Sequence, residues 1–209
     1  MKIREHSDRR FPLLALHIVQ AGLLISLSAC TKPTIAELSQ PSTATPPEPT
    51  SSTNVSSYKL TCEEARFVKL LNLHRQNQGL QPVTVSMQGT EAARWMANDM
   101  GTKNYFSHTE PSGRDAFQRM ASFGFTSQAE NIAVGNADAQ ATFCMWKNSA
   151  GHNSNMLSAS QAIGIGRAIV SGSQYEAYWV NCFGTPRDLL VEPLTTDPSC
   201  SMPTTLPGC

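Results

Sequence analysis

Between Trp146 and Leu157 the apolar pattern of the chain changes period, and that change limits the folds open to it. Ahead of it Ala139, Phe143, Trp146 and Ala150 recur at helical spacing. Beyond it, residues 162–169 and 175–184 alternate with period two around the turn Ser171-Gly172-Ser173, the pattern of two paired strands. Gly151 is expected to close the helix and leave His152 just past its end, with Asn153 and Asn155 beside it. A histidine so placed titrates near neutrality and suits metal binding or proton transfer.

Three further helices are expected upstream. Thr61-Cys62-Glu63-Glu64 is a capping box with Leu60 as its staple, and Phe67, Val68, Leu70, Leu71 and His74 keep a helical period until Gly79. His74 falls on that apolar stripe and reads as a packed core residue. Thr90 is expected to cap a second helix running to Met100 and stopped by Gly101. A third runs from Arg114 to about Ser122, and Asp138 caps the fourth. Helices followed by paired strands indicate an α+β domain over residues 58–184, with helices covering a sheet.

The preceding segment reads as an export signal. Lys2, Arg4, Arg9 and Arg10 outnumber Glu5 and Asp8, and Phe11 to Leu27 is mostly apolar but short for a membrane span. It ends in Leu27-Ser28-Ala29-Cys30, which looks like the lipobox of bacterial lipoproteins. Cleavage after residue 29 would leave Cys30 to carry acyl chains, each buried CH₂ contributing about 0.8 kcal/mol. The other reading is an ordinary secreted protein in which Cys30 is removed or idle. Residues 30–57, rich in Pro, Ser and Thr, make a flexible tether, and residues 185–209 an extended tail containing Cys and Pro. Thr31 after Cys30 favours outer-membrane sorting in a Gram-negative host; a cell-surface position is the alternative.

A formal charge of +0, with no Lys/Arg-rich run, gives no footing for nucleic acid. Export would place Cys62, Cys144, Cys182, Cys200 and Cys209 in an oxidising compartment, an odd number with no CxxC spacing. The preferred bridge joins Cys144 of the central helix to Cys182 of a strand. A second ties Cys62 to the tail or closes Cys200–Cys209.

Five short motifs follow one another along the domain: Phe106-Ser107-His108, Glu130-Asn131-Ile132-Ala133, Trp146-x-x-Ser149-x-Gly151-His152-Asn153-x-Asn155-Met156-Leu157, Ile163-Gly164-Ile165-Gly166 and Tyr178-Trp179-x-x-x-Phe183-Gly184. In this order they resemble the CAP superfamily of cysteine-rich secretory, antigen 5 and pathogenesis-related proteins, nearest its bacterial SCP-like branch. The resemblance implies a three-layer α–β–α sandwich around a mainly antiparallel sheet, with a cleft on one side. It implies that His108 and His152 meet there beside Glu130, as candidate zinc ligands or catalytic groups, with Ser149, Asn131 and Asn153 lining the cleft. Ser149 stands where animal and plant members carry a second glutamate, which leaves one carboxylate.

Two functions follow. One is a lipid-anchored binding module of the cell envelope holding a glycan, lipid or peptide. The other is a zinc-dependent hydrolase of peptides or esters using His108, His152 and Glu130, in which a metal-bound water of lowered pKa attacks the substrate. A polar cluster that orders the cleft without chemistry is the plain alternative. Ser149 with His152 lacks a nucleophile elbow, and Cys144 on a helical stripe of an exported protein reads as bridged rather than as a thiol nucleophile.

Overall fold

The computed structural model describes residues 59–185, 188 and 194–209, all within the unit Ser51–Cys209. The signal, Cys30 and the tether expected ahead of them lie outside the described residues. Helix α1 (Cys62–Asn77) opens on the expected capping box, in which Thr61 Oγ1 accepts from Glu64 N–H at 3.4 Å and Glu64 Oε2 accepts from Thr61 N–H at 2.9 Å. A short strand β1 (Thr84–Val85) precedes α2 (Met87–Thr102), which starts earlier than the sequence suggested. Ser86 caps it, accepting from Gly89 N–H at 3.1 Å, while Thr90 Oγ1 instead accepts from Ile165 N–H in the sheet at 3.4 Å. Gly101 lies inside α2 rather than after it.

Helix α3 (Ala116–Ser122) and strand β2 (Thr126–Val134) follow. Helix α4 (Ala139–Lys147) is capped by Asp138, as expected. It stops at Lys147, and Ser149 begins a separate helix, α5 (Ala150–Met156). Gly151 therefore sits in the first turn of α5 instead of closing α4, and His152 stands on that turn. Strands β3 (Ala162–Ile169) and β4 (Ala177–Thr185) complete the sheet.

The strand order is β1-β3-β4-β2, with β1 parallel to β3 and the other pairs antiparallel. Alternation along the strands sends residues to two cores. Ile163, Ile165, Trp179 and Phe183 face α1 and α4, where the Phe67 ring meets Trp146 edge-on at 5.2 Å. Tyr178, Val180 and Cys182 face the opposite way, with Met96, Met100 and Met120 of α2 and α3. The result is the α–β–α sandwich that the family resemblance implied.

Close approach of α2 to β3 depends on small residues. A Cβ at Gly164 would lie 2.0 Å from the Gly89 carbonyl carbon, and one at Gly166 would lie 2.3 Å from that of Ala93. Both would meet backbone, which cannot swing aside.

The expected Cys144–Cys182 bridge is overturned. Cys144 pairs with Cys209 and Cys62 with Cys200, while Cys182 is a buried free thiol. The reason is the parity of β4: Cys182 points into the core beneath α2, whereas Cys144 lies against the core on the other side of the sheet. The Cys62 link to the tail agrees with one of the two options read from the sequence. Both bridges strap the tail to the α1/α4 layer, with Leu194, Met202 and Leu206 packed against its core.

Gly164→Ala should cost about 3 kcal/mol, the upper range for overpacking, read as a lower urea midpoint; an unchanged midpoint would refute the close contact. Peptide mapping without reduction should recover 62–200 and 144–209, and Cys182 should resist iodoacetamide until the chain is unfolded.

Candidate functional site

The cleft opens where β2 forms the edge of the sheet. It has a volume of about 400 Å³, and His108, Asp115, Phe117, Gln128, Glu130 and Asn155 are among its lining residues. One wall is built around Arg119, which occupies the i+3 place of the buried stripe Ala116, Arg119, Met120 on α3. Its guanidinium reaches Glu130 Oε2 at 2.5 Å and Glu110 Oε1 at 3.1 Å. Burial alone would lower the Arg119 pKa, but attraction and hydrogen bonds from Glu130 and Glu110 outweigh it and raise the pKa. A lone buried charge would be very costly, and the paired carboxylates are what make its position tenable.

Glu130 Oε1, the other carboxylate oxygen, takes His108 Nδ1 at 2.8 Å. A carboxylate only accepts, so the imidazole presents Nδ1–H and keeps Nε2 free. The His108 side chain is 53% exposed and the Glu130 side chain 2%, so the ring stands in solvent on a sealed acidic support.

On the α5 side Asn155 lines the cavity, while His152 and Ser149, both expected there, do not. His152 Nδ1 lies 2.8 Å from Ser149 Oγ, which is why that hydroxyl makes no cap bond to α5. The His152 carbonyl accepts from Asn131 Nδ2 at 3.0 Å, and Asn131 Oδ1 accepts from Asn155 Nδ2 at 2.8 Å. Asn153 Oδ1 lies 2.9 Å from Nε2 of the buried His74. Asn131 is fully buried. Asn131 and Asn153 thus hold the α5 wall from behind and do not line the cavity, whereas Asn155 does.

The sequence reading missed Arg119, Phe117 and Gln128 as parts of the cleft. A charged residue inside the apolar stripe of a short helix was the available signal for Arg119. Nothing local marked the other two.

The zinc expectation meets a donor set that does not fit it. Both oxygens of Glu130 are engaged and its side chain is sealed, so three free ligands are not on offer. Among the described residues no group of three His, Cys, Asp or Glu is disposed to hold a metal.

The His152 pKa is lowered, first by burial and then by repulsion from His108. The folded chain therefore binds this proton more weakly than the unfolded chain does. His152 costs stability progressively as pH falls below the ordinary imidazole value of about 6.5, and nothing well above it. In an NMR titration His152 should turn over below that value, and His108→Ala should shift its midpoint upward. An unmoved midpoint would mean that the two rings do not sense each other.

Comparison with known proteins agrees with this architecture. The chain is 36% identical over 129 residues to an uncharacterized Bacillus subtilis protein, YkwD, the match covering 60% of this chain and 50% of that one. It thus spans half the length of that relative. An extracellular SCP-domain protein of Bacillus anthracis superposes with a TM-score of 0.51 at 26% identity, over 58% of this chain and 40% of the other. An outer surface protein of Borrelia burgdorferi shares the fold with a TM-score of 0.54 at 19% identity, over 62% of this chain and 98% of that one. The Cysteine-rich secretory protein (CAP) family profile matches residues 68–183, and the chain belongs to that family.

Proposed function

We propose that this chain is an exported protein, held at the bacterial envelope by lipid on Cys30, and that its CAP domain is a binding module working through the cleft beside His108, Glu130 and His152. One observation carries the preference for binding over hydrolysis: both oxygens of Glu130 are committed, to His108 and to Arg119, while the adjoining cleft is open. A carboxylate so engaged is a poor general base and a poor ligand. It is well suited to hold one imidazole in a fixed tautomer as a recognition group.

Export is supported by two disulfides, which persist in oxidising compartments. It is supported also by the extracellular and outer-surface descriptions of the Bacillus anthracis and Borrelia burgdorferi proteins. No described helix is long and apolar enough to cross a membrane.

Tritiated palmitate should label the full chain in a bacterial host, and Cys30→Ser should abolish the label and release the protein from membranes; persistent labelling would overturn the anchor. The purified chain should bind one of three envelope materials: peptidoglycan fragments, envelope peptides or lipid vesicles. His108→Ala and Asn155→Ala should each weaken that binding about tenfold, the equivalent of about 1.4 kcal/mol. Stoichiometric zinc with chelator-sensitive turnover of a peptide or ester, lost in both His108→Ala and His152→Ala, would replace binding with hydrolysis.

A further inference from the structure

Strand β2 is a sheet edge, and the direction of its main-chain groups can be read from two bonds. Gly135 N–H donates to Ala177 C=O at 2.9 Å, which turns residue 135 towards β4. Antiparallel ladders alternate, so residues 133 and 131 also face β4 while Ile132 and Glu130 face away. Ile132 C=O fits this, since it accepts from Trp146 Nε1 at 3.2 Å. Between Ser127 and Ala129 the register shifts and leaves Gln128 with no partner on β4.

The outward edge is open at Glu130. The ladder phase turns the main-chain N–H and C=O of Glu130 away from β4, and among the described residues they meet no loop or turn backbone group. Glu130 is 8% exposed as a residue but 2% as a side chain, so what it shows to the cleft is mostly backbone. Phe117, 55% exposed, stands between this cleft and a second hollow of about 390 Å³ bounded by Ala121, Phe125 and Thr126.

Several nearby polar side chains already hold protein partners through at least one of their atoms. Gln128 Oε1 accepts from Ser160, Asn155 Nδ2 donates to Asn131, Asp115 Oδ1 caps α3, and Glu130 holds His108 and Arg119. The outward backbone of Glu130 lies beside the exposed ring of Phe117 and the open Nε2 of His108.

We propose that the cleft takes an extended peptide, which adds beside β2 between Thr126 and Glu130 and sets alternate apolar side chains on either side of Phe117. The proposal rests on the cleft being a binding site, and names its ligand class. Five residues of strand span about 17 Å, and side chains two apart are separated by about 7 Å.

The test titrates the intact chain with a positional-scanning library of N-acetylated, C-amidated hexapeptides, and separately with chitohexaose and with phosphatidylglycerol vesicles. Binding should select peptides with apolar residues two positions apart. N-methylation of every second peptide amide should weaken binding about tenfold, and methylation of the intervening amides should leave it unchanged. Phe117→Ser should weaken it about tenfold, and Phe117→Tyr should restore it. A flat N-methyl response would overturn strand addition. Chitohexaose or vesicles binding in place of peptides, and lost in Asn155→Ala, would overturn the peptide assignment while keeping the cleft as a site. Failure of all three probes would overturn both.

Discussion

The buried guanidinium of Arg119 is the interaction around which the cleft is assembled. It ties α3 to β2 through Glu130 and to the loop before α3 through Glu110, which also pairs with Arg114 at 2.8 Å. That loop carries His108, so the ring's position is fixed at both ends of one charge network. Deleting one member of such a buried set generally costs about 3–5 kcal/mol, because the remaining charges lose their compensation. Rigidity here follows from electrostatics under low exposure, with little help from surface packing.

The two walls of the cleft belong to different layers of the sandwich. His108 and Phe117 come from the α3 side, and Asn155 comes from α5. Both sides reach the same cavity at the edge strand β2, and His108 is near enough to α5 to lower the His152 pKa. The Asn131–Asn155 and Asn153–His74 pairs then hold α5 against the edge strand and α1. The site is thus a property of where the sheet stops.

Much of this was legible in the sequence where local rules act alone. The Thr61–Glu64 capping box, the Asp138 cap, the strand over residues 162–169 and the buried state of His74 each depend on neighbours within a few positions. The motif series from Phe106 to Gly184 pointed to the sandwich. Sequence reasoning failed where a choice depended on which face of the sheet a neighbour would occupy. Cys144 and Cys182 looked like partners until β4 sent the thiol under α2. Gly151 looked like a helix end because the break lies three residues earlier, at Asn148, with no glycine or proline to mark it. Asn153, expected in the cleft, turns instead to His74, a residue 79 positions away.

The bridge from Cys62 to Cys200 joins the opening turn of α1 to a segment near the far end of the chain. A pull arriving from the N-terminal side meets that crosslink before it can unwind α1. The load divides between the helix and the C-terminal segment, and the Cys144–Cys209 link carries the latter share into α4. A domain wired in this way resists being peeled from one end.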